Sequence, residues 1–357
     1  MKRNIGLDAL KVLSMFMIVV LHILGQGGVL ETLPQFCIRY NIAWFIEIIC
    51  LCSVNCFALA TGYLNYGKKY NFKSLISLWF QVIFYTLLLT MVIKFFYPEQ
   101  INYGYIGKML FPTMGHSYWY FTAYVGLYLF MPLLNFLLEK ADKKLLGSSL
   151  LLILGFTTIG NTFNGNFLFE NSGYSTIWLI VMYLVGGMVK KYNISAKNKN
   201  KCLYNFFLYG AINFALKLVV DKFFMNIPFV NNMNYTLCNY TSVFLVIASI
   251  NLFLYFESYK PKNIKVRNAI KILTPVSFGV YLVHTNPAVW MTLMNKTFVW
   301  IADRNSLMFV FCLCMASICL FITCSIIDFG RLRLFKSLKV DKLSERISCI
   351  IQNKFLI

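Results

Sequence analysis

The sequence predicts an all-α protein, a polytopic membrane bundle of about ten transmembrane helices. Of its 357 residues, 59% are hydrophobic and only 13% are charged. Soluble domains carry about 45–50% apolar and about 25% charged residues, so much of this apolar surface needs lipid as its solvent. Apolar runs of membrane-spanning length recur along the chain, and basic residues collect in alternate connecting segments. Together these observations exclude the disordered, collagen-like and disulfide-rich secreted classes.

Each apolar run comes close to the length of about 20 residues that a helix needs to cross a bilayer. We therefore expect residues 1–330 to form one transmembrane domain and residues 331–357 to form a basic cytoplasmic tail. The predicted spans cover residues 7–25, 42–64, 75–97, 118–138, 145–160, 176–190, 203–220, 240–256, 273–294 and 306–328.

The basic residues predict the orientation of the chain. Most of the 33 lysines and arginines lie in segments that share a side if the N-terminus is inside, and the tail is the richest of them. By the positive-inside rule, both termini are expected in the cytoplasm of a multi-pass plasma (inner) membrane protein. The bilayer accounts for the net charge of +20 without a nucleic-acid partner. Lysine-rich loops would also attract a polyanionic cytosolic substrate, and the tail could equally lie on anionic lipid.

Metal and redox sites are not expected. The eleven cysteines are scattered without a C-x-x-C pair, and the chain has only three histidines. Most cysteines lie in apolar runs, where they behave as small hydrophobic residues. We predict no metal ion and no permanently bound cofactor.

The first predicted helix contains three ionisable residues, which are costly in a membrane and therefore functional candidates. Lys11 and His22 are eleven residues apart. At about 100° per residue they lie roughly 20° from the same face and about 16 Å apart along the axis. Asp8 lies within helical pairing reach of Lys11. The alternatives are a hydrogen-bonded interior histidine and a lysine that extends to the inner interface.

The opening of the chain resembles acyltransferase family 3, multi-pass O-acyltransferases of bacterial surface glycans. The resemblance starts at Arg3, continues through Asp8 and Lys11, and reaches His22 after ten intervening residues. Further motifs of that family are similar to residues 54–63, with Thr61 where serine is usual, to residues 116–121 and 126–134, and to residues 277–284. These motifs contain all three histidines of the chain.

The resemblance implies an enzyme that moves an acyl group, in the first instance acetyl, from cytosolic acyl-CoA to a hydroxyl of a cell-surface or lipid-linked glycan. It implies that His22 is the catalytic base and that Lys11 serves the donor or the electrostatics of His22. Acetyl-CoA or another acyl-CoA would be the co-substrate. Many members bind the donor with an Arg-x-x-Arg element. At that place this chain has other basic residues, which with Arg3 are the donor-binding candidates: Lys68, Lys69 and Lys73, with Ile76 at the second arginine position.

Three further polar residues are supporting candidates. Glu47 could pair with Arg39 or orient a histidine. His116 is either an interfacial residue or an acceptor contact, and His284 is either a buried link between helices or part of the site. The acceptor-binding candidates beside His116 are aromatic, since aromatic faces suit a sugar: Tyr118, Trp119 and Tyr120.

Two other functions remain open from the sequence. A transporter or exporter component for a polysaccharide or small anion could use Lys11 and His22 as a substrate or proton site. Transporters tend to show internal repeats and paired broken helices, and we find no convincing repeat. A non-catalytic component of a polysaccharide export machine could also keep this fold. The oligomeric state is not predicted.

The orientation is tested by cysteine labelling in intact cells. A Lys197→Cys or Ile350→Cys variant should not react with a membrane-impermeant thiol reagent added outside, because both positions are predicted to be cytoplasmic. The unmodified protein, with its eleven cysteines, supplies the background. Labelling above that background before the cells are opened would reverse the predicted topology.

Overall fold

The computed structural model describes residues 3–100, 118–164, 171–224 and 237–355. All regular elements in these ranges are helical, and they contain no β-strand. The helices of eight or more residues within them are α1 (Ile5–Leu24), α2 (Ile38–Asn65), α3 (Lys73–Phe96), α4 (Trp119–Lys140), α5 (Lys143–Asn164), α6 (Thr176–Lys191), α7 (Lys199–Phe223), α8 (Val243–Glu257), α9 (Ile264–Leu273), α10 (Ser277–His284), α11 (Ser306–Ser337) and α12 (Val340–Phe355).

In the described part of the chain, seven helical segments are long and apolar enough to cross a membrane. They confirm an all-helical membrane bundle, whereas the sequence predicted about ten spans. Two predicted spans are the shorter helices α6 and α8, of 16 and 15 residues. The seven segments are Ile5–Thr32, Ile38–Asn65, Lys73–Phe96, Trp119–Lys140, Lys143–Gly160, Lys199–Phe223 and Ser306–Ser337.

The predicted ninth span, residues 273–294, is not one continuous helix. Helix α10 ends at His284, and a short helical turn begins only at Pro287. Proline at the first helical position needs no backbone N–H partner. Asn286 caps this turn, because its side chain accepts hydrogen bonds from the backbone N–H groups of Ala288 and Val289. Backbone N–H groups at the break are therefore hydrogen-bonded inside the protein. This is the condition for irregular backbone at membrane depth.

Helix α1 is the central helix of the bundle. In its most apolar stretch 72% of the residues are buried, compared with 22–39% in five of the other spans. It packs against α2, α8, α9, α10 and α11. Asn4 caps its N-terminus by accepting a hydrogen bond from the N–H of Leu7. Gly6 lies so close to the carbonyls of Phe256 and Tyr259 that a β-carbon would not fit.

A buried polar cluster joins α10 to α3 and α11. Arg331 forms a bidentate ion pair with Asp328 one turn away in α11, and the Tyr85 hydroxyl donates to Asp328 at 2.7 Å. Gly279 lies directly against the Asp328 carboxylate, where any side chain would collide with it. This contact sets the position of α10, the helix that ends in His284.

The C-terminal segment is helical and docks on the bundle. Helix α11 continues through the predicted domain boundary at residue 330 and ends at Ser337. Helix α12 then packs against α3, where the Lys73 ammonium pairs with Glu345 at 3.0 Å. Gln352 also donates a hydrogen bond to the carbonyl of Tyr70 at 3.3 Å.

Helices α2 and α6 cross so closely that their backbones are in contact, and each helix has a glycine at the contact. A β-carbon at Gly62 would collide with the carbonyl of Tyr183, and one at Gly186 would collide with that of Leu59. Small residues at such crossings let membrane helices pack by van der Waals contact. We expect Gly62→Ala and Gly186→Ala each to destabilise the protein by about 1–3 kcal/mol through overpacking, measured as thermal unfolding in detergent.

Gly155→Ala in α5 is the matched control, because a β-carbon there has no neighbour within 4 Å. This change should leave stability unchanged or raise it by up to about 1 kcal/mol, the difference in helix propensity. Equal destabilisation by all three substitutions would show that the close approach of α2 and α6 is not the cause.

Candidate functional site

Two histidines that are 262 positions apart in the chain meet inside the bundle. The Nδ1 atom of His22 in α1 lies 2.9 Å from the Nε2 atom of His284 in α10. The other ring nitrogen of His284, Nδ1, lies 2.6 Å from the carbonyl oxygen of Val280 one turn earlier. His284 is almost fully buried, and His22 is partly buried. A chain of hydrogen bonds therefore runs from the α10 backbone through His284 to His22.

The carbonyl of Val280 determines which ring nitrogen of each neutral histidine in this hydrogen-bonded series carries the proton. A carbonyl can only accept, so Nδ1 of His284 must donate to it, and Nε2 of His284 is then the acceptor. Nδ1 of His22 must in turn donate to that nitrogen. The lone pair of His22 Nε2 is left for another proton. This arrangement matches a general base whose tautomer is set by a second residue.

The interruption of the helix after α10 places a tryptophan against His22. The ring of Trp290 meets the His22 ring edge to face, with centroids 4.7 Å apart and planes at 86°. Gln26, one turn beyond His22, donates a hydrogen bond from Nε2 to the carbonyl of Trp290 at 3.1 Å. The end of α1 and the segment after the break therefore hold His22 from two sides.

A first cavity of about 250 Å³ lies along α1 from Lys11 to His22. We call it the Lys11 cavity. Tyr120 and Tyr124 of α4, Thr61 of α2 and residues of α10 border it, and most of its wall is apolar. Lys11 and His22 thus border one cavity, whereas their spacing in the sequence predicted only that they share a face of the helix.

A second cavity, of about 530 Å³, begins at His22 and continues towards the end of α1. We call it the Glu47 cavity, and its wall also includes Gln26 and Trp290. Five residues border both cavities: Leu21, His22, Trp119, Tyr240 and Tyr281. His22 therefore lies at the junction of two spaces that follow each other along α1.

The partner of Asp8 differs from the one predicted. Its carboxylate forms an ion pair with Arg3 in place of Lys11, because Arg3 precedes the helix and folds back over its first turn. Lys11 has no ion pair or hydrogen bond with any described residue, and it borders the Lys11 cavity. The ammonium group is thus available to a ligand in that cavity.

The other predicted donor residues lie away from both cavities. Lys68 and Lys69 are exposed between α2 and α3, and Lys73 is engaged by Glu345. Arg3 is occupied by Asp8. Of the aromatic candidates, Trp119 borders both cavities, Tyr120 the first and Tyr118 the second. His116 lies outside the described residues.

Among the described residues, Glu47 pairs with neither Arg39 nor a histidine. The Arg39 guanidinium donates to the carbonyls of Ala302 and Arg304, at 2.6 and 2.8 Å. His22 is oriented by His284 instead. Glu47 borders the second cavity, where its Oε2 atom is buried without a hydrogen-bond partner among the described residues.

Several residues of the site were not predicted from the sequence. Gln26, Tyr240 and Trp290 belong to segments without a motif, and nothing local marks them. The sequence offered a signal for Tyr281, because it lies one helical turn before His284 in the motif of residues 277–284. Within the described ranges, no three His, Cys, Asp or Glu residues come together as a metal site would require.

The family model described as an acyltransferase domain matches residues 4–326. No curated protein and no solved structure matches the chain.

The coupling of the two histidines predicts non-additive effects on catalysis. His22→Ala should lower kcat for acyl transfer by about 10²–10⁴, the contribution of a positioned general base. His284→Ala should lower it less, because His284 acts only through His22. The double variant should be no slower than His22→Ala alone. Thermal unfolding of each variant separates lost chemistry from lost folding, and additive losses would refute the coupling.

Proposed function

Because the chain belongs to the acyltransferase domain family, we propose that it is an integral membrane enzyme with a glycan as its acceptor. It moves an acyl group, in the first instance acetyl, from cytosolic acyl-CoA to a hydroxyl of a cell-surface or lipid-linked glycan. One observation carries this proposal: His22 lies where the two cavities meet, with one nitrogen held by His284. The Lys11 cavity takes the donor and the Glu47 cavity takes the acceptor.

In the proposed reaction, His22 Nε2 takes the proton of the acceptor hydroxyl as its oxygen attacks the thioester carbonyl. The new C–O bond forms, the C–S bond breaks, and the imidazolium returns the proton to the leaving thiolate. His284 holds the His22 ring in place, since its own ring is anchored to Val280. Tyr281 borders both cavities, and its hydroxyl is the candidate donor to the oxyanion.

On the donor side, Lys11 is the cation available to an anionic part of acyl-CoA. With both termini and the tail in the cytoplasm, as the basic loops favour, the start of α1 faces the cytosol. This places Lys11 nearer the cytosolic pool of acyl-CoA than His22. The proposal includes a plasma membrane location, about ten membrane segments with α6, α8 and the broken segment among them, and lipid as the main partner.

One observation favours the transporter alternative. The segment that the sequence predicted as the ninth span breaks before Pro287, which borders the Glu47 cavity, and proline-broken helices line the substrate sites of secondary transporters. A transporter would move its substrate without forming a covalent bond. Transfer of label from the acyl-CoA to a glycan distinguishes the two functions.

Purified protein, radiolabelled acetyl-CoA and a bacterial membrane glycan fraction test the proposal. Label should pass to the glycan, and Lys11→Ala should raise KM for acetyl-CoA because the donor loses its cation. Lys11→Arg should recover much of the affinity, since charge and reach are kept. Lys144→Ala is the matched control, because Lys144 in α5 is exposed and borders neither cavity, so this change should not alter KM. If folded protein transfers no label, or if Lys11→Ala and Lys144→Ala have the same KM for acetyl-CoA, the proposal fails.

A further inference from the structure

We infer that the Glu47 cavity is a subsite for a neutral saccharide ring and that Glu47 recognises its hydroxyl groups. The inference rests on the proposed function and deepens it, because it assigns the chemical class of the acceptor. It derives from the unpartnered carboxylate oxygen, the aromatic walls and the charge of this cavity.

The first observation is the state of the Glu47 carboxylate. Oε2 is buried without a hydrogen-bond donor among the described residues. The arginine nearest in sequence, Arg39, is held by two backbone carbonyls. The buried cation one helix away, Lys217, is paired with Asp221 and lies 3.9 Å from the centroid of the Trp44 ring. A buried acceptor without a donor is costly, and hydroxyl groups of a ligand in the cavity would remove that cost.

The second observation is the wall of the cavity. Trp119 and Tyr240 lie nearly parallel, at 21° with centroids 6.0 Å apart, and Tyr174 packs against both rings at 4.5 and 4.8 Å. Trp290 forms a further aromatic wall beside His22. Aromatic faces carry negative charge density, which attracts the weakly positive C–H faces of a sugar ring. The volume of about 530 Å³ lies within the range of small-ligand sites.

The third observation is charge. The described residues that border the Glu47 cavity include one carboxylate and no lysine or arginine. An acidic or phosphorylated sugar would be buried in this cavity without a compensating cation, whereas a neutral sugar supplies hydroxyl groups to Glu47. A lipid acyl chain would leave the carboxylate unpaired in an apolar contact. The Lys11 cavity has the opposite character, since Lys11 is its cation. The two cavities therefore suit an anionic donor and a neutral acceptor.

Sugar binding is measured directly, without catalysis. Protein in lipid nanodiscs is titrated with methyl glycosides of glucose, galactose and N-acetylglucosamine and with methyl glucuronide, followed by tryptophan fluorescence. We expect a neutral glycoside to bind and Glu47→Gln to weaken its binding by about tenfold, because an acceptor oxygen is replaced by an amide donor. Methyl glucuronide should bind the unmodified protein at least tenfold more weakly than methyl glucoside, because the described wall of the cavity offers its carboxylate no cation.

Glu257→Gln is the matched control. Glu257 is also a partly buried carboxylate, but it accepts a hydrogen bond from Tyr63 at 2.8 Å and borders neither cavity. It should bind the glycosides like the unmodified protein, and thermal unfolding confirms that both variants are folded. The inference is overturned if no neutral glycoside binds, if Glu47→Gln binds unchanged, or if the glucuronide binds as tightly as the glucoside.

The transfer assay separates the two proposals. Glu47-dependent sugar binding without any acyl transfer would contradict the proposed function and leave this subsite intact. If the protein transfers acyl groups but Glu47→Gln binds sugar as tightly as the unmodified protein, the subsite is contradicted and the proposed function stays intact. In a transferring enzyme, Glu47→Gln should also raise KM for the glycan and leave KM for acetyl-CoA unchanged.

Discussion

The burial of α1 among five other helices is the constraint on which the rest of the structure depends. A helix surrounded by protein can carry ionisable residues that would be costly against lipid, provided that they find partners or face a cavity. Asp8 finds Arg3, while Lys11 and His22 border cavities. Close contact at Gly6 brings α8 to the start of α1. The two cavities thus lie beside the ionisable residues Lys11 and His22 of α1.

The second constraint is that the backbone N–H and C=O groups where α10 ends need hydrogen-bond partners. At membrane depth a break is tolerated only if its polar groups are bonded within the protein. Asn286 meets this requirement: it caps the next turn and donates to the Tyr118 hydroxyl at 3.1 Å and to the Tyr85 carbonyl at 3.4 Å. The break stops α10 at His284 and turns the chain so that Trp290 contacts His22. If the helix continued without a break, residues 285–294 would follow the axis of α10 and Trp290 would lie away from His22.

Most of the helical architecture follows from local properties of the chain. Composition and apolar runs predicted α1 at residues 7–25, and the structure places it at Ile5–Leu24. The spacing of Lys11 and His22 predicted a shared side of the helix, because helical periodicity depends on nearest neighbours alone. The interrupted ninth segment was missed, since hydropathy averages over side chains and takes no account of the missing N–H of Pro287.

By itself the sequence determined the membrane class, the helices, the family resemblance and the importance of α1, all of which depend on composition and short-range spacing. Only the tertiary structure decided that His284 is the partner of His22, that Asp8 pairs with Arg3, and that Glu47 borders a cavity where its Oε2 atom meets no hydrogen-bond donor from the described part of the chain. His22 and His284 are 262 residues apart in the chain, so no periodicity relates them. Their contact depends on how the helices pack, which is a property of the whole bundle and of the glycine contacts that let the helices approach.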